Sequence, residues 1–123
     1  MKAIKKSLNK NRKSYAYALK GVELASKGNN FRYQLISAIM IIILGLVTSL
    51  KTWEWIAIVI MIGSVLAAEV FNTAIELLVD LISPEYNLQA GKVKDLAAGG
   101  VILLATTSVI VALLIFIPKI IHY

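Results

Sequence analysis

Four polar residues that could do chemistry lie close together in the run AEVFNTAIELLVD, residues 68–80: Glu69, Asn72, Glu76 and Asp80. On a helix, at about 100° per residue, they project near 0°, 300°, 340° and 20°, so all four share an arc of roughly 80°. Everything around them is apolar. A carboxylate at mid-bilayer costs about 2.5–3.5 kcal/mol on insertion scales, which disfavours several on one face without a use for them. Three uses compete. Interhelical hydrogen bonding suits Asn72 or Thr73 alone, but not several carboxylates without intramembrane cations. A proton or cation pathway is the second, and an active site at the membrane surface the third.

The next segment, SPEYNLQAGKVKDLAAGG, residues 83–100, brings Glu85, Lys92, Lys94 and Asp95 to the end of the same stripe. Carboxylates that can hold Mg²⁺ beside lysines that can neutralise phosphate are the minimum for phosphoryl transfer, and a pore has no need of the combination. The competing reading of Lys92 and Lys94 is membrane topology alone. No G-x-x-x-x-G-K-[ST] is present, because Lys92 follows a solitary Gly91, and the GxGxxG and HRD motifs of protein kinases are absent too. Any ATP chemistry must use another architecture. The absence of cysteine excludes thiol catalysis and thiolate metal sites, and His122, with no acidic or polar neighbour, reads as a tail residue.

The elements that must position these residues are membrane helices. The chain has 123 residues, is 59% hydrophobic and has a mean hydropathy of +0.77, which describes one small integral membrane domain. Apolar stretches at 34–50, 54–82 and 96–117 are long enough to span a hydrocarbon core, which takes about 20 helical residues. The second is longer than needed, so its last turns rise out of the bilayer and place Asp80 near water. Trp53 and Trp55 suit an interfacial belt at its start. The "GNN" at 28–30 and Ser83–Pro84 read as helix breaks, and the small residues "AAGG" at 97–100 as close helix packing.

Nine of the thirteen Lys and Arg residues precede the first apolar stretch, against one acid, Glu23. Beside a membrane span this charge serves topology and anionic head groups, and no nucleic-acid motif accompanies it. Ile4, Leu8, Tyr15, Ala18, Leu19, Val22 and Ala25 fall within an arc of about 120°, giving an amphipathic surface helix over 1–28. With Lys92 and Lys94 between the second and third stretches, the positive-inside rule puts the N-terminus and that connection in the cytoplasm, where ATP is found. The expected fold is an all-α membrane protein: a surface helix and three transmembrane helices. Three helices are few to shield the polar stripe, so oligomerisation is expected.

The sequence AEVFNTAIELLVDLI followed by PEYNLQAGKVKDLAAG closely resembles the signature of the small prokaryotic membrane lipid kinases, the diacylglycerol kinase and undecaprenol kinase family. "YALKG" at 17–21 and "NFR" at 30–32 extend the likeness over nearly the whole chain. The resemblance implies a homotrimer in the cell inner membrane, with active sites near the cytoplasmic interface between subunits. By motif, it makes Glu69 the general base on the lipid hydroxyl, Asn72 its polar neighbour and Glu76 a ligand of the Mg²⁺ of ATP. It places Asp80, Lys94 and Asp95 in the nucleotide site, Glu85, Tyr86 and Asn87 near the adenine, and Tyr17 and Lys20 of the surface helix near the nucleotide. One departure stands out: where the family usually has a second metal-binding glutamate, two residues before "NF", this chain has Gly28. Glu23 is a poor substitute, since five residues earlier it points about 140° away on a continuing helix.

The expected activity is therefore ATP- and Mg²⁺-dependent phosphorylation of a membrane lipid alcohol, undecaprenol or diacylglycerol. "NTAIE" and the "IFIPK" ending at 115–119 look more like the undecaprenol kinase branch. The alternatives are an oligomeric proton or cation conductor and a family member impaired at Gly28.

Overall fold

The computed structural model describes residues 1–122, and among them the secondary structure is four helices: α1 (Lys2–Ala25), α2 (Asn29–Val47), α3 (Thr52–Ile82) and α4 (Leu88–Ile121). The last three are long and apolar enough to cross a membrane. At 1.5 Å per residue, the 19 residues of α2 reach about 28 Å, close to the hydrocarbon core, whereas the 31 of α3 and 34 of α4 reach about 46 and 51 Å. Both longer helices must overhang the core. α3 is the central element, packed along α4 and touching α2 and α1.

The end of the bundle away from the polar stripe is its best-packed part. Ile58 of α3 meets Ile115 and Phe116 of α4, with Ile41, Leu44 and Leu50 against them. Gly45 lets α2 come onto the start of α3: a Cβ there would lie 2.8 Å from both Leu50 Cδ1 and Trp55 Cη2. Trp55 is thus a packing residue as well as an interfacial one. Just beyond, Ser49 turns the chain with a positive φ of 52°, an uncommon conformation for a residue with a side chain.

All three apolar helices start earlier than the sequence suggested, α3 by two residues, at Thr52 rather than 54, and the other two by more. α2 begins at Asn29 rather than at 34, and the break occupies residues 26–28, so Asn29 and Asn30 form the first turn of α2 instead of ending α1. α4 begins at Leu88 rather than at 96. The cause is Asn87, whose Oδ1 accepts hydrogen bonds from the backbone N–H of Gln89 at 2.8 Å and of Ala90 at 3.2 Å, the N-cap arrangement. Residues 83–95, expected as a connection, therefore shrink to a link at 83–87, and Lys92, Lys94 and Asp95 stand on the first two turns of α4.

At its other end α4 continues four residues past 117 and carries Lys119 onto Glu54 of α3, Nζ to Oε2 2.9 Å. Glu54 also accepts from the Lys51 backbone N–H at 2.7 Å. Lys119 lies two residues beyond the apolar stretch at 96–117. The structure makes it the far-end tie between α3 and α4.

Candidate functional site

The polar stripe on α3 is divided by its neighbours. Glu69 and Asn72 are buried, 4% and 6% exposed, while Glu76 and Asp80 on the next two turns are exposed. The division follows from how far α2 reaches. Its first turns lie alongside residues 69–72 of α3, and together with α4 they enclose a pocket of about 290 Å³. Glu69 and Asn72 face Asn30, Tyr33 and Gln34 of α2, with Ala98, Val101 and Ala105 of α4 as the third wall. The small residues at 98 and 105 leave the space open.

Depth along the membrane normal is set by the length of α3. With the exposed Trp53 set at one interface, a hydrocarbon core of about 30 Å would cover some 20 residues of an upright α3 and end close to Asn72. Glu69 would then lie about 5 Å inside that boundary, and Glu76 and Asp80 about 6 and 12 Å beyond it.

Asn72 holds the arrangement together. Its Nδ2 donates to Glu76 Oε1 at 3.0 Å, and its Oδ1 is buried with no partner. Turning the amide over would set its oxygen against a carboxylate, so the orphaned atom is the acceptor. A buried amide oxygen without a donor is costly, and it is the one buried side-chain acceptor without a partner among the described residues. The Glu69 carboxylate has no hydrogen-bond donor among the described residues, although the backbone carbonyl of Glu69 accepts from Thr73 Oγ1 at 2.9 Å.

Among the described residues no group of three or more Asp, Glu, His or Cys side chains is placed to hold a metal. Mg²⁺ does not need such a cage, because it commonly takes one or two protein oxygens and completes its shell with phosphate and water. The exposed Glu76 carboxylate fits that requirement by itself, whereas Asn72 Oδ1 is buried beside it. Gly28, at the N-cap of α2, supplies no side chain.

Asp80 and Lys94 form an ion pair one level farther out, both partly exposed, and join the end of α3 to the start of α4. Glu85 and Tyr86 on the 83–87 link, and Lys92 and Asp95 on α4, are exposed. Asn87 has its Oδ1 committed to capping α4, which leaves only its amide N–H groups for a ligand. Tyr17 and Lys20 are exposed on α1, with Lys20 Nζ 5.8 Å from the centre of the Tyr17 ring. Neither they nor Glu85 and Tyr86 line the Glu69 pocket.

The structure adds Asn30, Tyr33 and Gln34, which the sequence reading did not assign to the site. Asn30 and Gln34 are one turn apart on α2, within the polar head of the helix that also holds Asn29 and Arg32. That signal was hidden by reading "GNN" as a break and Gln34 as the edge of a span.

Residues 16–116 match the family of prokaryotic diacylglycerol kinases. The chain is also 40% identical over 113 residues, 91% of its own length and 92% of the relative's, to the undecaprenol kinase of Bacillus subtilis (strain 168).

Proposed function

Because the chain belongs to the prokaryotic diacylglycerol kinase family and is a lipid kinase, we propose that it moves the γ-phosphoryl group of ATP to the primary hydroxyl of undecaprenol or a similar membrane alcohol. The relative named an undecaprenol kinase supports that acceptor over diacylglycerol. The observation that carries the reading is the buried Glu69 carboxylate beside the orphaned Asn72 Oδ1, in a pocket just inside the membrane boundary.

The alcohol enters sideways from the bilayer with its hydroxyl near Glu69. Glu69 accepts the hydroxyl proton as the alcohol oxygen attacks the γ-phosphorus, and the bond to the β,γ-bridging oxygen breaks to release ADP. Burial keeps water, the competing acceptor, from the attacking oxygen. Asn72 holds Glu76 by the 3.0 Å hydrogen bond, and Glu76 would hold Mg²⁺, which would neutralise charge on the transferring phosphate. Lys94, paired with Asp80, would share its ammonium with the nucleotide phosphates, and by the family motif Asp95, Glu85, Tyr86 and Asn87 would complete the nucleotide site.

Glu76, Asp80 and Asp95 are exposed in the single chain, so the nucleotide side is open. A homotrimer would cover it with neighbouring subunits. α1 would lie on the cytoplasmic surface of the inner membrane, with Ile4, Leu8, Leu19 and Val22 toward lipid and Tyr17 and Lys20 near the nucleotide.

The test is transfer of labelled γ-phosphate from Mg-ATP to undecaprenol and to diacylglycerol, side by side in mixed micelles, with Glu69→Gln as control. Labelled undecaprenyl phosphate, lost in the variant, is expected. No transfer to either lipid would refute the proposal, and proteoliposome ion flux without ATP would replace it with a conductor.

A further inference from the structure

No described residue covers the first half of α1. The helix is 24 residues long, about 36 Å, and its one buried residue is Ala25, at the end joined to the bundle. Ile4 and Leu8 are 65% and 59% exposed, and Tyr15, Leu19 and Val22 on the same face are exposed too. An arm held at one end, with an apolar face bare along its length, needs something outside the chain to lie against.

Charge is divided unevenly along that arm. Lys2, Lys5, Lys6, Lys10, Arg12 and Lys13 fall in the first half with no acid among them, whereas Lys20 and Glu23 cancel in the second. All six cations precede the span, 16–116, that matches the kinase family. Among the described residues none of them has a carboxylate partner, since the ion pairs are Asp80–Lys94 and Glu54–Lys119. At 100° per residue the large apolar side chains fall near 40–100° and the cations between about 120° and 280°. Arg12 and Lys5 border the apolar face, where their long stems can bring the charge to the level of lipid phosphates. Lys2, Lys6 and Lys13 stand across a helix about 10–12 Å wide, which is about one Debye length at roughly 0.1 M salt.

These two faces select the occupant. Between Lys2 and Lys13 the apolar residues are Ala3, Ile4 and Leu8, too few to hold a segment with six cations by insertion alone, so electrostatic attraction decides. A neutral bilayer meets the apolar face only. A second copy of the chain offers three unpaired carboxylates at its nucleotide end, Glu76, Glu85 and Asp95, against six cations, and no cover for Ile4 and Leu8 that its own lipid would not supply. A bilayer surface bearing acidic phospholipid meets both faces at once.

We propose that residues 2–13 form a docking surface for acidic lipid head groups, so that the first half of α1 lies on the bilayer only where the bilayer carries negative charge. α1 runs on into Tyr17 and Lys20, so docking also sets where that pair stands relative to the bundle.

Docking is read without any phosphate transfer. The chain has no cysteine, so a Leu8→Cys variant of the full-length protein takes a single fluorophore. It is placed in nanodiscs of phosphatidylcholine, with or without phosphatidylglycerol, and quenched from the water with acrylamide, which is neutral. A Leu103→Cys label, outward on α4, reports reconstitution and should be shielded in every disc. The label at position 8 should be shielded with phosphatidylglycerol, open without it, and reopened by about 0.5 M salt. Lys5→Gln with Arg12→Gln should lower the docked-to-free ratio about 30-fold, and Lys5→Arg with Arg12→Lys, which keeps both charges, should preserve it. Equal quenching in the two lipids, or shielding that survives high salt, would overturn the proposal. Shielding in phosphatidylcholine alone that rises with the number of chains per disc would assign the arm to a second copy and overturn it as well.

Discussion

Replacing Glu69 by glutamine is the most exacting perturbation of the proposed chemistry, because it changes charge and basicity while keeping shape. Glu69 is 4% exposed, and its carboxylate receives no hydrogen bond among the described residues, so glutamine costs the fold little. No other group can take over. Glu76, the next carboxylate along α3, is seven residues on, about 10 Å farther along the axis, and is held by Asn72 at 3.0 Å. Loss of a positioned general base lowers the rate by about 10²–10⁴, which corresponds to roughly 2.7–5.4 kcal/mol of barrier. The KM for Mg-ATP should move less than about threefold, because Glu69 is lipid-side. Glu69→Asp retains the charge but withdraws it by one methylene, and a displacement of about 1 Å is enough to cost about 10²-fold. The assay is initial-rate phosphorylation of undecaprenol in mixed micelles, with nucleotide binding measured separately by calorimetry. A Glu69→Gln rate within threefold of the native rate would refute the base assignment. Equal loss of turnover and nucleotide affinity would refute the separation of lipid and nucleotide sides.

Glu76→Gln should weaken Mg-ATP binding itself, by about 10–100-fold in calorimetry, since it removes the one carboxylate placed to hold the metal. Gly28→Glu should strengthen Mg-ATP binding: the backbone there, φ −74°, accepts any residue, and the new Cβ would meet only the Ala25 carbonyl oxygen, at 3.3 Å. Unchanged affinity would mean that the metal side is complete without it. Gly45→Ala should lower stability to thermal or detergent denaturation by about 1–2 kcal/mol, because overpacking against the Trp55 ring at 2.8 Å outweighs the helix-propensity gain of about 1 kcal/mol. Asn87→Ala should cost about 1 kcal/mol of stability by uncapping α4, with the first turns that carry Lys92, Lys94 and Asp95 fraying in hydrogen exchange.

The sequence by itself determined that three helices are long and apolar enough to span a membrane, and that Glu69, Asn72, Glu76 and Asp80 share one face of α3. Both are consequences of periodicity and composition, which a linear chain carries in full. The family was also legible, since its motif is a contiguous run of residues. Tertiary structure alone decided which members of the stripe are buried, because that depends on where α2 and α4 stop alongside α3. For the same reason, Asn30, Tyr33 and Gln34 joined the site only in three dimensions. The early start of α4 came from a single side-chain cap at Asn87, a local competition that hydropathy does not register. The Glu54–Lys119 tie and the Ile58, Ile115 and Phe116 cluster rest on pairings between residues far apart in the chain. Such contacts follow from the packing of α3 against α4, and no spacing along the sequence encodes them.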